Sequence, residues 1–197
     1  MLQDKLKDFH IILGSGSPRR HYLLNELGIS YEVMVNQNLV ETYPDRLSKE
    51  QIPVYLAELK SSALLESVPE NTLLITADTI VWLDGRVINK PEDKADAVRI
   101  LKKLSGNMHE VLTGVCLRMA DRKQSFHASS LVWFAPLGDD EINYYIDRFK
   151  PYDKAGAYGV QEWIGYIGIE KIEGSYFNVM GLPIQKVYHE LKALLGE

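Results

Sequence analysis

The sequence predicts an α/β protein with a mixed sheet flanked by helices, and three observations point that way. Short apolar runs alternate with helical stripes along most of the chain, the order of βα units. Asp84-Gly85 places a hairpin signal between two extended runs, so some strands must pair antiparallel. Two long extended segments, Glu110 to Met119 and Ser125 to Phe134, follow one another with no helix between them.

The elements follow in order. Phe9 to Leu13 is an apolar run, read as a strand and broken by Gly14-Ser15-Gly16. Ser17 suits an N-cap and Pro18 the first position of a helix. Leu23, Leu24 and Leu27 share one face of that helix, and Gly28 sits where the chain must turn out of it. Tyr31 to Val35 reads as a second strand and Asn36 to Arg46 as a polar loop. Pro53 opens a helix with Leu56, Leu59, Ala63 and Leu64 as its apolar stripe. Thr72 to Ala77 is an apolar strand ending on Asp78. Thr79 to Leu83 continues extended into the Asp84-Gly85 turn, and Val87 and Ile88 lie on the return strand.

Asp93 to Leu104 carries Ala97, Val98, Ile100, Leu101 and Leu104 at helical spacing, and Gly106 closes it. The two long strands after it are joined by a turn at Asp121-Arg122-Lys123. Asp139 to Phe149 reads as a helix capped by Asp139 or Asp140. Lys150 to Gln161 is a Gly-, Lys- and Asp-rich loop, and Tyr166 to Ile172 a last strand. Pro183 starts a terminal helix with Val187, Leu191 and Leu194 inward. No repeat and no linker interrupts the 197 residues, which suit one domain or two closely joined lobes.

Composition excludes several functions. Hydrophobic residues make up 46% of the chain, too many for a disordered protein. No apolar run approaches the roughly 20 residues of a membrane-spanning helix, and Met1 to His10 lacks a signal-peptide core. The lone Cys116 rules out an intrachain disulfide and fits a cytoplasmic setting. The net charge of −5 argues against a nucleic-acid partner. A small anionic substrate remains compatible if cations gather in one cleft.

Cations do gather at Ser15-Gly16-Ser17-Pro18-Arg19-Arg20, between strand and helix. Small residues let backbone approach a ligand, and a helix N-terminus offers free N–H groups and positive dipole. Arg19 and Arg20 oppose that dipole, so an arriving phosphate would relieve them. The same residues could equally be a capped helix with two solvated arginines. A dinucleotide fingerprint is excluded because Arg19 stands where the third glycine belongs, and no Gly-Lys-Ser/Thr follows to make a Walker loop. Asp78 ends an apolar strand, where α/β folds place ligands. It could take a proton or hold Mg²⁺, or simply end the strand. Lys60, Lys90 and Lys154 suit phosphate, although any one of them alone would be an ordinary surface lysine. The histidines show no metal-ligand spacing. Cys116 reads as core, and so do Trp82 and Trp133.

Taken together, the motifs resemble the Maf family. The resemblance is carried by Ser15-Gly16-Ser17-Pro18-Arg19-Arg20, Glu41-Thr42, Lys60, Ala77-Asp78-Thr79, Lys90-Pro91, Leu104-Ser105-Gly106 with His109, and Thr113-Gly114. It continues through Asp153-Lys154-Ala155-Gly156-Ala157-Tyr158-Gly159-Val160-Gln161, Gly174-Ser175-Tyr176, Asn178-Val179 and Gly181-Leu182-Pro183. These run in family order over nearly the whole chain. The resemblance implies an elongated fold similar to inosine triphosphate pyrophosphatases, one domain over 1–197 with two lobes around a central cleft. It implies hydrolysis of dTTP and UTP, and of modified pyrimidine nucleotides, to the monophosphate and pyrophosphate. It also implies that Asp78 is the catalytic carboxylate and that Arg19, Thr79 and Gln161 set substrate choice. After Gln161 many relatives have a small Gly-containing turn, whereas this chain has Glu162-Trp163-Ile164.

A mechanism follows from the resemblance and the chemistry together. Ser15, Ser17, Arg19, Arg20, Lys60, Lys90 and Lys154 are expected around the triphosphate. Glu41 and Asp78 are expected to hold a divalent metal, Mg²⁺ or Mn²⁺. An activated water attacks the α- or β-phosphorus, and the cations stabilise the developing charge. No nucleic acid or membrane partner is expected, and a homodimer is compatible with the sequence. The rival reading is a nucleotide-binding regulator of septum formation that needs no turnover.

Overall fold

The computed structural model describes residues 1–119 and 122–196. Its strands form a seven-stranded sheet with the order β2-β1-β3-β5-β6-β7, and β4 pairs with β3. The strands are β1 (His10–Leu13), β2 (Glu32–Val33), β3 (Thr72–Leu83), β4 (Arg86–Ile88), β5 (Met108–Met119), β6 (Arg122–Phe134) and β7 (Ile169–Glu173). β1 runs parallel to β2 and β3, with Ile12 opposite Leu74. β4 returns antiparallel on β3, and β7 lies antiparallel to β6. The mixed α/β class expected from the sequence is therefore the class observed. The helices are α1 (Leu2–Leu6), α2 (Pro18–Glu26), α3 (Gln51–Ser62), α4 (Lys94–Leu104), α5 (Asp139–Phe149), α6 (Trp163–Gly168), α7 (Tyr176–Met180) and α8 (Ile184–Leu194). Among the described residues no helix is long and apolar enough to cross a membrane.

The chain divides into two compact units. One comprises residues 1–78, 113–128 and 181–197; the other comprises 79–112 and 129–180. The first unit packs Ile12, Leu64 and Leu74 into one cluster, with Met34 and Val68 against it. Burying each such side chain is worth about 1.5–3 kcal/mol. α1 lies against α8, whose Val187 and Leu191 are fully buried. Gly114 has a packing reason to be glycine, because a Cβ there would lie on the Pro53 carbonyl at the start of α3. In the second unit α4 packs on α5. Ile142, Tyr145 and Ile146 form the buried stripe of α5.

Several boundaries differ from the expectation, each for a local reason. α3 begins at Gln51, before Pro53, because the Gln51 side chain accepts from the Ser48 N–H at 2.9 Å and the Gln51 N–H bonds back to Ser48. β2 is two residues long and exposed. The cap of α5 is Gly138 rather than Asp139 or Asp140, and Glu141 accepts from the Gly138 N–H at 2.7 Å. Asp121, the first residue of the expected turn, lies outside the described residues, while Arg122 and Lys123 belong to β6. The strand expected over Tyr166 to Ile172 begins only at Ile169, because Trp163–Gly168 is helical. Gly165 makes that turn feasible, since any Cβ there would collide with the Val160 carbonyl. α1 and α7 were not anticipated. Trp82 and Trp133 are half-buried rather than core, and Lys171 sits over the Trp133 ring at 4.3 Å. Cys116 is fully buried, as expected.

Candidate active site

In the first unit, β1 ends on a backbone that closely approaches β3. A Cβ on Gly14 would lie 2.6 Å from Thr76 Cγ2, and the Gly14 N–H bonds to Ile75 O at 2.8 Å. The chain then reaches Ser17, the N-cap of α2, with Pro18 in the first turn as expected. The Ser17 hydroxyl makes no capping bond to the helix. Pro18 brings no N–H to this end and the Arg20 N–H bonds to Ser17 O at 3.1 Å, and the helix presents its positive pole here.

Arg20 is buried, at 9% exposure. Its Nε donates to Gly181 O at 2.8 Å, and its Nη1 donates to Ala77 O at 2.8 Å and to Ser15 Oγ at 3.1 Å. β3 runs on to Leu83, so Ala77 and Asp78 lie inside the strand rather than at its end as expected, and the guanidinium ties together the middle of β3, the loop after β1 and the chain before α8. Burial lowers its proton affinity, Arg19 adds to that, and Asp78 and Glu41 act against it. An arginine remains charged throughout, so this one sets a fixed positive field beside Asp78. The Ser15 hydroxyl also accepts from the Ser17 N–H at 3.3 Å. Ser15 and Arg20 are thus committed to framework bonds that the sequence did not disclose.

Lys60 projects from the last turn of α3. Its ammonium lies 2.5 Å from Asp78 Oδ1 and 2.8 Å from Glu41 Oε2. Three expected site residues, distant in sequence, are therefore brought onto one point. Asp78 is 9% exposed, whereas the Glu41 side chain is 44% exposed. Among the described residues no cluster of three or more His, Cys, Asp or Glu is assembled, so there is no all-protein metal cage. Two carboxylates closing on one cation nevertheless fit a Mg²⁺-type ion, which commonly takes one or two carboxylates and completes its shell with substrate phosphates.

The second unit holds Thr79, Lys90, Lys154 and Gln161. Thr79 is half-buried on β3 and Lys90 is exposed after β4. Lys154 is buried, at 8% exposure, and its ammonium is 2.7 Å from Asp153 Oδ1 and 3.3 Å from Glu162 Oε1. Gln161 is partly buried, and its Oε1 has no hydrogen-bond partner. Close by in sequence, Tyr158 hydrogen-bonds His109 Nε2 at 2.8 Å, and Phe134 packs on both rings. Burial lowers the His109 pKa to about 4.

Some family-like motifs turn out to be framework. Asn178 is fully buried and donates to Val111 O and Ser130 Oγ, both at 3.0 Å. Gly174 adopts φ +112°, and a Cβ there would press on Ser130 Oγ at 2.8 Å. Tyr145 is fully buried and donates to Glu162. It sits in the apolar stripe of α5, and no sequence signal distinguished it from its neighbours.

A family model described as Maf-like protein matches residues 10–194, and the chain belongs to the Maf family. A protein of Phocaeicola vulgatus named dTTP/UTP pyrophosphatase is 54% identical over 191 residues, covering 97% of this chain and 99% of that protein. One of Parabacteroides distasonis with the same name is 51% identical, covering 96% and 98%. One of Christiangramia forsetii, also so named, is 47% identical over the full length of both. A crystal structure of a nucleoside-triphosphatase / dITP/XTP pyrophosphatase from Mycobacterium abscessus covers 95% of this chain and 97% of its own, at 14% identity and a TM-score of 0.39.

Proposed function

We propose that this protein is a cytoplasmic nucleoside triphosphate pyrophosphatase that hydrolyses dTTP and UTP to the monophosphate and pyrophosphate. The observation that carries the reading is the Lys60–Asp78–Glu41 cluster at the middle of β3, in a chain half identical to proteins named for that reaction. The cluster contains what the chemistry needs: a nearly buried carboxylate, an ammonium and a second carboxylate.

The roles follow from chemistry. Arg19, the positive end of α2, Lys60 and Lys90 bind the triphosphate oxygens. The fixed charge of Arg20 adds to the field that offsets the growing negative charge. Glu41 and Asp78 would hold a divalent cation, Mg²⁺ or Mn²⁺, which supplies Lewis acidity toward phosphate oxygens when bound. Asp78 orients the attacking water and receives its proton at Oδ. For that, Lys60 must leave Asp78 Oδ1 for a phosphate oxygen, an exchange its four-carbon stem allows.

Thr79 and Gln161 select the base. A 4-keto pyrimidine with N3–H offers an acceptor beside a donor, and an amide matches both. CTP presents an amino group and a bare N3, which would leave buried groups unpaired at roughly 1–3 kcal/mol each. The test is pyrophosphate release from UTP, dTTP, CTP and GTP, with Mg²⁺ and with Mn²⁺, on the wild type and on Gln161→Glu. UTP and dTTP should lead, and the Glu variant should lose that lead because an ionised carboxylate accepts but cannot donate. Tight UTP binding without pyrophosphate release would instead make the protein a nucleotide-binding regulator.

A further inference from the structure

A closed ring of bonds surrounds Glu162 in the second unit. Its Oε2 accepts from the Tyr145 hydroxyl. That hydroxyl accepts from the Gly159 N–H at 3.0 Å. The Gly159 carbonyl accepts from the Glu162 N–H at 3.0 Å, which closes a turn over Val160 and Gln161. Its Oε1 lies 3.3 Å from the Lys154 ammonium. A Cβ on Gly159 would stand 2.7 Å from the Glu162 carboxyl carbon, so a side chain there would push the carboxylate off this position. Tyr145 at the base of the ring is fully buried, so the anchor does not move with solvent. Gln161 rides on this turn with its Oε1 buried and without a hydrogen-bond partner. A buried amide oxygen left unpaired calls for an explanation, and a donor on a bound base would supply one.

We infer that Glu162 is a positioning residue for base selection: held between Tyr145 and Lys154, its carboxylate sets the turn that carries Gln161. The inference deepens the proposed pyrimidine recognition and rests on it. It also gives Lys154 a different task from the one its sequence setting suggests. A buried lysine is tolerated when paired, and Asp153 and Glu162 already offset this one. Lys154 therefore acts through Glu162 on the base turn, not on the triphosphate.

The test measures kcat and KM for UTP and CTP, with melting temperatures, on wild type, Glu162→Ala, Glu162→Gln, Tyr145→Phe and Lys154→Met. Glu162→Ala should cut the UTP-over-CTP ratio of kcat/KM about tenfold, through KM for UTP rather than kcat. Glu162→Gln still accepts from Tyr145 and should recover most of that ratio. If the Ala variant does not fold, Tyr145→Phe, which removes one hydroxyl, should lower the ratio in the same direction. Lys154→Met should also lower the ratio. A parallel rise of KM for both nucleotides in Lys154→Met would return that lysine to the phosphates and overturn its reassignment. A Glu162→Ala enzyme that keeps the wild-type ratio, whatever its melting temperature, would overturn the role of Glu162. A wild type with no preference for UTP would instead sink the parent reading.

Discussion

Two lysines in this protein each sit between two carboxylates, and what holds those carboxylates differs. Lys60 meets Asp78 and Glu41 at 2.5 and 2.8 Å; Lys154 meets Asp153 and Glu162 at 2.7 and 3.3 Å. The partners of Lys60 come from separate parts of the first unit, the middle of β3 and the loop before α3. Those of Lys154 come from its own loop, one residue and eight residues away. Glu162 is tied further to a buried tyrosine, whereas Glu41 is open to solvent. In the proposed mechanism the first lysine exchanges partners when the triphosphate arrives. The second is locked, and exchange would dismantle a turn. An ion pair is a reactive device or a structural one according to what else holds its members.

The largest effect that would break this contrast lies at Asp78. Asp78→Asn keeps the shape and removes the anion. Turnover should fall by about 10²–10⁴, while UTP binding holds or tightens because repulsion of the triphosphate falls. Steady-state kinetics and titration calorimetry separate the two. Near-normal turnover would mean that Glu41, the other member of the cluster, carries the reaction.

Next is Arg20, which belongs to the first unit but is locked like Lys154. Arg20→Met removes the donors to Ala77 O, Gly181 O and Ser15 Oγ. Stranding such acceptors costs roughly 1–3 kcal/mol for each one left dry. We expect about 2–5 kcal/mol of lost stability by urea titration. Lost activity at unchanged stability would instead give Arg20 the phosphate role that its position beside Arg19 suggests.

Both lysines, and both arginines, read alike from the sequence. Arg19 and Arg20 are adjacent at a helix N-terminus, and nothing in their order says that one is buried on backbone carbonyls. Lys60 and Lys154 differ only in the elements that carry them. The strands were legible because β1 and the first half of β3 are unbroken apolar runs, and the Asp84-Gly85 turn announced β4. α4 was legible through its periodic stripe and α8 through Val187, Leu191 and Leu194. α6 was not, because Ile164, Tyr166, Ile167 and Ile169 suit a strand as well as a helix. The steric demand that decides it, Gly165 against the Val160 carbonyl, exists only after folding. Tyr145 was hidden for the same reason, since its hydroxyl matters only once the Gly159 turn forms above it.

The smallest effect tests whether the buried polar groups of the second unit are framework, reporting through stability rather than turnover. His109 is 1% exposed, its Nε2 is bonded to the Tyr158 hydroxyl, and its Nδ1 has no partner. Burial lowers its pKa to about 4, against 6.5 for the free group. Between those values the unfolded chain takes up a proton that the folded chain refuses. His109 therefore leaves full stability in place above pH 6.5, and that stability drains as the pH falls toward 4. The shift corresponds to a loss of about 3 kcal/mol across the window. His109→Gln can still hydrogen-bond Tyr158 but cannot be protonated, so its stability should fall less over the same range. Urea midpoints at several pH values across the window, for both forms, measure the difference. Parallel curves would mean that His109 is protonated in the folded state, and that the ring contacts with Phe134 and Tyr158 do not keep it dry.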